Sequence, residues 1–410
     1  MVVADAPDEV AGPGPLDGVR VIELAQWVMG PAAGALLADW GADVIRVERL
    51  TGDPYGGLAT QGIGTDSGGV NLSMAMVNRG KRSVAIDLQT EAGRQVLAKL
   101  LEGADVFITN LRANALERLN LDASSVMSAH PHLIYARGNG YGARGPEAER
   151  GGFDSTAFWA RGGLAHVLTP AECPNPITQR GAMGDRNAAV ALGFGISTAL
   201  VRKGRSGKGS LVDTSLLATA MWTLSSDVLS AMQGIKPRAL PTLINPVFGA
   251  YRTSDGRHIQ LAFLESDRFW APLCHALGRD DMIEDPRFSD LHARAANVDE
   301  CVAQLSAEFG RRTFAECRQI LGTIDVPWAP VQTVEELLDD PQVQANGYIA
   351  DVEHEGVPPY ALPTGPVQID GHPPRLRRAP EHGEHTESVL LDFGYTWDDI
   401  TELKSSGVIL

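Results

Sequence analysis

Strand-forming and helix-forming segments alternate along the first 142 residues, and this alternation restricts the fold more than any other feature. The run VRVIEL (residues 19–24) is typical of a buried strand, AAGALLADW of a small-residue helix, and DVIRVE (residues 43–48) of a second strand. Two strands joined by a short helix form a βαβ unit, in which the strands pair in parallel. Because further alternations follow as far as residue 142, the sequence predicts a doubly wound, Rossmann-like α/β domain.

The length and texture of the chain indicate more than one domain. A chain of 410 residues has room for two or three domains. From residue 248 the pattern changes to two strands joined by a Ser-Asp-Gly turn, followed by helical segments. We therefore expect a disordered tail (1–15), a large Rossmann-like domain (16–233), a linker (234–247), a smaller α/β domain (248–330) and a C-terminal segment (331–410).

The charge and the cysteines exclude several classes of protein. A net charge of −16 argues against a general binder of nucleic acid or of anionic membranes. The acidic N-terminus lacks the pattern of a signal peptide, and no apolar run reaches the length of a bilayer-spanning helix. The cysteines lie far apart without a C-x-x-C pair, which favours free thiols in a reducing cytoplasm: Cys173, Cys274, Cys301 and Cys317.

Common catalytic and cofactor motifs are absent or incomplete. The chain has no G-x-S-x-G elbow, no phosphate loop of the form G-x-x-x-x-G-K-[ST] and no H-E-x-x-H. Gly138-x-Gly140-x-x-Ala143 fits a loose dinucleotide fingerprint, but it runs into Arg-Gly-Pro instead of opening a helix. His382 and His385 lack an evident third ligand, so a loop or helix cap is favoured there and no metal is expected.

Residues 151–163, GGFDSTAFWARGG, place one acid in an aromatic setting between two glycine pairs. A carboxylate such as Asp154 is already charged at neutral pH, so it needs no base to act as a nucleophile. Phe153, Phe158 and Trp159 would partly strip it of water. The alternative is that Asp154 caps a helix that begins at STAFWA.

Basic side chains lie near the ends of strands in the first domain. Arg49 follows the strand at 43–48, and Asn110-Leu111-Arg112 follows a strand at 104–109. Ligands of open α/β sheets bind beyond the carboxyl ends of the strands. Cations gathered there in an acidic protein indicate a polyphosphate or nucleotide-like ligand, with ordinary solvated charge as the alternative: Arg46, Arg49, Lys81, Arg82, Arg112 and Arg118.

Several ordered motifs resemble those of the family III CoA-transferases, also called the CaiB/BaiF family. The resemblance runs from about residue 15 to the end of the chain, through LDGVRVIEL, GPAAGALLADWGADVIRVE, NRGKRSVAIDL, GGFD, GKGSLVDTSL and GEHTESVL. It implies a ring-like homodimer of two interlocked chains, each with a large Rossmann-like domain, a small domain and a C-terminal segment that returns to the large domain. It also implies acyl-CoA and a carboxylic acid as substrates, with no tightly bound cofactor.

The resemblance also assigns residues to roles. Asp154 falls at the position of the aspartate that attacks the acyl-CoA thioester and then carries CoA as an aspartyl-CoA thioester. The positions that bind CoA correspond to Arg49, Asn78, Lys81, Arg82, Asn110, Leu111, Arg118, Asn139 and Gly140. The positions around the acyl group correspond to Trp27, Val28, Met29, Phe153 and Asp185.

Departures from the family pattern bear on the substrate and on the reaction. Val28-Met29 replace a glutamine, and a glycine loop of the oxalate-using members has no counterpart, which argues against a small dicarboxylate. The same fold hosts 2-methylacyl-CoA racemases, and this remains the alternative function. Those enzymes use a histidine where this chain has Phe153, and phenylalanine moves no proton. The aromatic residues after Asp154 favour a medium-to-large apolar or aromatic carboxylate.

Overall fold

The computed structural model describes residues 14–61, 66–236 and 243–410. The chain divides into two compact units: Met1–Pro237 with Gln342–Leu410 forms the first, and Arg238–Pro341 forms the second. The second unit thus ends at Pro341, whereas the sequence predicts a small domain that ends at residue 330. Residues 1–13 of the predicted tail and residues 237–242 of the predicted linker lie outside the described residues.

The first unit is built on a parallel sheet. Its strand order is β5-β2-β1-β6-β7-β8, with every neighbouring pair parallel. From β1 the sheet grows to one side through β2 and β5. The chain then crosses back and places β6 on the other side of β1, where β7 and β8 follow, as in doubly wound folds. The predicted α/β class is confirmed. The strands of this unit up to residue 236 are β1 Arg20–Leu24, β2 Asp43–Glu48, β3 Asp66–Ser67, β4 Val70–Asn71, β5 Arg82–Ala85, β6 Val106–Thr109, β7 Ile134–Asn139 and β8 Leu211–Ser215.

The helices that connect these strands are α1 Met29–Asp39, α2 Leu72–Asn78, α3 Glu91–Glu102, α4 Ala113–Arg118, α5 Ala123–Ala129, α6 Leu164–Leu168, α7 Met183–Ser206, α8 Leu216–Thr223 and α9 Ser225–Met232. A 3₁₀ helix spans Pro54–Gln61, and a π-helical turn spans Asp154–Ala160. The apolar sequence predicts a long helix at residues 187–202 and another at 216–232. In the structure the first is longer at both ends, and the second is divided at Leu224. Thr90 caps α3 as its sequence predicts, since its hydroxyl accepts the Gly93 N–H at 3.0 Å.

Both faces of the parallel sheet are covered, which explains the near-continuous apolar sequence of its strands. On one face Val21 and Ile108 pack with Leu192 and Ile196 of α7. On the other face Ile22 and Phe107 pack with Leu100 of α3. The sheet is therefore held as a rigid layer whose carboxyl edge is free to present side chains.

The second unit contains an antiparallel sheet of order β11-β10-β9. The predicted Ser-Asp-Gly turn joins two of its strands, with the Thr253 N–H donating to the Arg257 carbonyl at 2.8 Å and Gly256 at φ +83°. Its strands are β9 Phe248–Arg252, β10 His258–Ala262 and β11 Trp328–Pro330. Its helices are α10 Ser266–Leu277, α11 Asp281–Glu284, α12 Leu291–Ala296, α13 Val298–Gly310 and α14 Phe314–Leu321, followed by a 3₁₀ helix at Glu335–Leu337.

The C-terminal segment belongs to the first unit from Gln342 onward. Val389, Leu390, Ile400 and Ile409 complete the core cluster beside α3. Its elements are α15 Pro341–Ala345, β12 Ile349–Val352, β13 Tyr360–Pro363, α16 Thr386–Asp392 and α17 Trp397–Ser405. None of the helices in the described ranges combines the length and apolarity that a membrane crossing requires.

Candidate active site

Two cavities open at the carboxyl ends of the central strands, within the first unit. The first has a volume of about 570 Å³ and lies against the ends of β1 and β2 and the segment after β5. The second, of about 480 Å³, lies beyond β6 and β7. Both include Gln26, Arg49, Leu111, Ala115 and Arg118 in their walls. The pair therefore forms one continuous region at the point where the strand order reverses, the usual ligand site of such sheets.

Asp154 begins the π-helical turn directly after Phe153, which lines the second cavity. The turn has the spacing of a π-helix, because the Arg161 N–H donates to the Thr156 carbonyl five residues back, at 3.0 Å. The cap of this turn comes from the Thr156 hydroxyl, which accepts the Phe153 N–H at 2.9 Å. The alternative prediction from the sequence was that Asp154 caps this helix. The structure instead has Phe153 at the cap position. The Asp154 Oδ1 accepts the N–H of Gly184, at the start of α7, at 3.0 Å.

The Asp154 carboxylate is buried and only partly satisfied. The residue is 6% exposed, and its Oδ2 has no hydrogen-bond partner among the described residues. Burial raises the pKa of Asp154, while the Gly184 N–H, Gln179, the Asp185 N–H and the charge of Arg186 act to lower it. The N-terminus of α7 adds its partial positive charge, which favours the carboxylate form. The arrangement therefore keeps one oxygen anchored and leaves the other unengaged.

Glycines bring the chain close enough to build this pocket. A Cβ on Gly184 would lie 2.2 Å from Phe158 Cγ and 2.4 Å from Asp154 Oδ1. A Cβ on Gly140 would lie 2.8 Å from the Cα of Gly152. Since real Cβ atoms do not approach so closely, only glycine fits at these positions without displacement of the neighbouring groups. Gly140 and Gly152 thereby pack the loop after β7 directly against the segment that leads to Asp154.

Asp185 is one of two carboxylates in the wall of the second cavity, the other being Glu149. Asp185 lies in the first turn of α7 and contributes to the cavity wall, whereas Asp154 is not part of the described lining. Burial, and next the negative charge of Asp154, raise the pKa of Asp185 to about 7, against the opposing charge of Arg186. The site therefore holds two carboxyl groups with raised pKa values in different settings. Asp154 is anchored by the Gly184 N–H, and Asp185 has no such donor in the described part of the chain.

An aromatic wall, formed by Trp27 and Phe153, lines the same cavity as Asp185. The rings of Trp27 and Phe153 meet edge to face with centroids 5.4 Å apart, and Tyr55 lies 6.5 Å from Trp27. Trp27 has a left-handed backbone at φ +64°, a conformation that costs energy for a bulky residue and recurs at functional sites. Phe153 remains 53% exposed. Met29 also lines the cavity, but Val28 is buried and lies outside the described walls of both cavities.

The predicted CoA-binding residues fall into two groups, and the first group lines the cavities. Arg49 donates to the Gln26 side chain at 3.1 Å. The Asn110 side chain accepts the Gln26 backbone N–H at 2.9 Å and donates to the Gln26 carbonyl at 2.6 Å. These contacts join the loops that follow β1, β2 and β6. The predicted residues brought together at the cavities are Arg49, Asn110, Leu111, Arg118, Asn139 and Gly140.

The second group lies elsewhere. The buried Lys81 ammonium is 2.7 Å from Glu23 Oε2 and also contacts the Asn78 side chain, so both residues are engaged inside the protein. Arg82 starts β5 and pairs with Asp43 at the amino edge of the sheet, opposite the cavities. The structure therefore does not bring Asn78, Lys81 or Arg82 to the cavity walls. The reason is that they precede β5, while the ligand region lies beyond the strand ends.

The two histidines near the C-terminus make ordinary hydrogen bonds. His382 Nε2 lies 2.8 Å from the Arg49 carbonyl oxygen, and the Ser83 N–H lies 3.3 Å from His385 Nδ1. Within the part of the chain that the structure describes, no group of three or more His, Cys, Asp or Glu side chains is arranged to hold a metal ion. These contacts connect the C-terminal segment to the ends of β2 and β5.

The comparisons with known proteins decide the family. A family model described as CoA-transferase family III matches residues 16–386. This chain belongs to CoA-transferase family III. It is 31% identical over 396 residues to the (R)-2-hydroxy-4-methylpentanoate CoA-transferase of Clostridioides difficile, covering 96% of this chain and 99% of that protein. It is 32% identical over 399 residues to the cinnamoyl-CoA:phenyllactate CoA-transferase of Clostridium sporogenes, covering 96% and 97%.

The fold comparison agrees. A crystal structure of a CaiB/BaiF family protein from Brucella suis matches with a TM-score of 0.80 at 29% identity, covering 93% of this chain and 100% of that chain. The family predicted from the motifs is thus confirmed. The protein is a family III CoA-transferase that uses acyl-CoA and a carboxylic acid.

Sequence reasoning missed residues that this CoA-transferase uses to build its site. Gly184 positions Asp154, and Gln26 links three loops through Arg49 and Asn110. Glu149 lines the second cavity, as does Arg112, which the sequence did single out. The signal for Gly184 was the G-D pair within GAMGDR, but nothing in a single sequence indicates that a glycine approaches a residue 30 positions earlier.

Proposed function

We propose that the enzyme moves CoA from an acyl-CoA to a medium-to-large apolar or aromatic carboxylic acid through an aspartyl-CoA thioester on Asp154. The observation that carries the proposal is the state of the Asp154 carboxylate. One oxygen is anchored by the Gly184 N–H, and the other is buried without a partner beside a cavity of about 480 Å³. A desolvated carboxylate with a free oxygen is a competent nucleophile.

The proposed reaction begins with attack of Asp154 Oδ2 on the thioester carbonyl. The C–S bond breaks, a mixed anhydride forms, and CoA departs through its sulfur. That sulfur then attacks the Asp154 carbonyl carbon, which releases the first acid as a carboxylate and forms the aspartyl-CoA thioester. A second carboxylate attacks that thioester, which gives a new anhydride and again releases the CoA sulfur. The sulfur finally attacks the acyl carbonyl of the second acid, which yields the new acyl-CoA and restores Asp154.

Because a thioester is exchanged for a thioester, the overall reaction needs no phosphoanhydride energy. Residues 151–153 precede Asp154 and line the cavity, so the acyl carbon would approach along this segment. Gly151 and Gly152 leave room there that a side chain would fill, since a Cβ on Gly151 would lie 2.3 Å from Arg112 Nη2. The route therefore follows the glycine pair that precedes the nucleophile.

The aromatic wall supports the choice of acid. Trp27, Phe153 and Met29 offer apolar surface in the second cavity, and the Tyr55 ring packs against Trp27. Burial of such surface by an aryl or branched alkyl group contributes roughly 25 cal/mol per Å². The two relatives described above act on a branched and on an aromatic acid by their names, which supports the same class. Phe153 supplies no imidazole, which argues against α-proton transfer as the main activity.

We also propose that Arg49 and Arg118 bind the phosphates of CoA, because both line the two cavities and lie at the sheet edge. Asn78, Lys81 and Arg82 are left out of this revised site because their partners lie within the protein. We place the enzyme in a reducing cytoplasm, in keeping with its free cysteines.

The chain is further proposed to act as an interlocked homodimer. Apolar side chains stand exposed on α7, α8 and α9, among them Phe194, Met232 and Trp222, the last of them 81% exposed. Such a concentration of apolar surface is typical of an interface. Light scattering should give the mass of a dimer, and Trp222→Glu with Phe194→Glu should lower it. A monomeric wild-type enzyme would contradict this part of the proposal.

The decisive experiment combines mass spectrometry and rates. The enzyme is incubated with cinnamoyl-CoA, 4-methylpentanoyl-CoA or succinyl-CoA, and the peptide that contains Asp154 is examined for a CoA adduct. We expect the adduct with the first two donors, and its loss together with transfer activity in Asp154→Ala and Asp154→Asn. Near wild-type transfer by Asp154→Ala would refute the mechanism. Preference for succinyl-CoA with a dicarboxylate acceptor would refute the proposed substrate class while leaving the mechanism intact.

A further inference from the structure

The transfer chemistry above leaves open the role of Asp185, a charged residue in the wall of the second cavity. It lies directly after Gly184, the residue whose N–H holds the nucleophile, and it reaches the cavity that would receive the thioester. Its carboxyl group has no hydrogen-bond partner among the described residues. A polar group placed in a ligand cavity without a partner is available to a substrate atom.

We infer that Asp185 is a general acid and base for the CoA sulfur, in a role that rests on the proposed aspartyl-CoA mechanism. As the C–S bond breaks, the proton moves from Asp185 to the departing sulfur, which leaves as a neutral thiol. As that sulfur attacks the next carbonyl, Asp185 takes the proton back. The same exchange occurs in the second half of the reaction, so no net proton is gained or lost over a cycle.

The neighbouring groups explain why the proton is held and released at the right times. While Asp154 is ionised, its negative charge and burial raise the pKa of Asp185 to about 7. Once Asp154 is acylated it is neutral, so this repulsion disappears and Asp185 becomes a stronger acid. A thiol ionises near pH ~8.5 in water, so a thiolate takes a proton from such an acid favourably. Catalytic acids work best when their pKa lies near the working pH.

The surrounding charges fit this role. Arg186, on α7 itself, opposes the effect of Asp154 on Asp185. The other charged residues in the cavity wall are mostly arginines, which would hold the CoA phosphates or stabilise a thiolate but supply no proton near neutral pH: Arg49, Arg112, Arg118, Arg137, Glu149 and Arg150. The Glu149 carboxylate already accepts the Asn114 N–H at 3.2 Å.

The test compares leaving groups of different acidity in Asp185→Asn and in wild type. Release of thiol in the first turnover is followed with cinnamoyl-CoA and with the cinnamoyl thioester of 4-nitrothiophenol, whose thiolate leaves without a proton. We expect kcat/KM for cinnamoyl-CoA to fall by about 100-fold or more, and that for the aryl thioester to change by less than about 3-fold. Asp299→Asn is the matched control, since Asp299 is an exposed acid in the first turn of α13.

The pH profile gives a second readout. In wild type, the rate with cinnamoyl-CoA should decline as pH rises past about 7 and Asp185 ionises, and Asp185→Asn should lack this limb. Asp185→Glu should restore both the limb and part of the rate. Equal slowing of both donors by Asp185→Asn, or slowing of neither, would overturn the inference. If Asp154→Asn also keeps full activity, the failure lies instead in the proposed transfer mechanism.

Discussion

Gly184→Ala is the sharpest perturbation of this site, because a single methyl group meets the nucleophile and a buried ring together. The added Cβ would lie 2.2 Å from Phe158 Cγ and 2.4 Å from Asp154 Oδ1, against an ordinary contact of roughly 3.5 Å. Phe158 is 1% exposed and Asp154 is 6% exposed, so neither has open space to enter. At least one of them must move by about 1 Å.

The cost follows from two terms. Overpacking of a buried site costs about 1–3 kcal/mol. Loss or distortion of the 3.0 Å Gly184 N–H bond to a charged oxygen costs about 1.5–3 kcal/mol. Because relief of one clash partly relieves the other, we expect a net loss of about 2–4 kcal/mol in the free energy of unfolding. A displacement of about 1 Å at the nucleophile should also lower kcat by about 100-fold.

The assay measures the melting temperature by circular dichroism and kcat for thioester exchange in parallel. Gly193→Ala is the matched control, since Gly193 lies in the same helix α7 and its added Cβ meets nothing within 4 Å. That variant should be as stable as wild type or more so by about 0.5–1 kcal/mol, because alanine favours a helix over glycine. If Gly184→Ala keeps both its melting temperature and its kcat, the claim that Gly184 positions Asp154 is refuted.

Three further predictions concern charge. Lys81→Met should lower the free energy of unfolding in urea by about 3–5 kcal/mol, because it leaves Glu23 buried without its 2.7 Å partner. The double variant Glu23→Leu with Lys81→Met should recover most of that loss. Equal destabilisation of the single and double variants would contradict the ion-pair assignment. The pKa of Asp185 is raised to about 7, from the 3.8 of a free aspartate, so wild type loses stability as pH rises from about 4 to 7. Asp185→Asn should therefore be more stable than wild type by about 2–4 kcal/mol at pH 8 and equal to it below pH ~4. A constant difference across this range would show that burial does not hold the proton. Arg118→Ala should raise KM about 10-fold for an acyl-CoA but not for the corresponding acyl-pantetheine, which lacks the nucleotide phosphates. An equal effect on both donors would contradict the proposal that Arg118 binds the phosphates.

Much of the fold was predictable because it depends on local periodicity. β2 at Asp43–Glu48 and α3 at Glu91–Glu102 begin and end where the apolar patterns and turn residues predict. The C-terminal boundary of α7 was harder to predict, because the basic, glycine-rich residues 204–209 are typical of a turn, yet the helix continues to Ser206. Solvated basic side chains suit a helix end as well as a loop, so composition did not separate the two.

For the candidate site too, the sequence predicted some features and left others to the fold. The family motifs singled out Asp154, Arg49 and Asn110 as functional positions, and the structure brings all three to one region of the sheet edge. Lys81 belongs to an equally clear motif, yet its ammonium is enclosed with Glu23. A motif records that a residue type is required. It does not record whether the requirement is for a ligand or for a buried partner.

The sequence by itself determined the α/β class, the succession of strands along the chain and the family, because these follow from short-range patterns and ordered motifs. Only the tertiary structure decided that Asp154 accepts its hydrogen bond from Gly184 rather than from its own turn, and that Asp185 reaches the same cavity with a raised pKa. The physical reason is that hydrogen bonding, burial and charge repulsion at this site act between segments far apart in the chain. Their effect is set by distances of a few ångströms that no local pattern encodes.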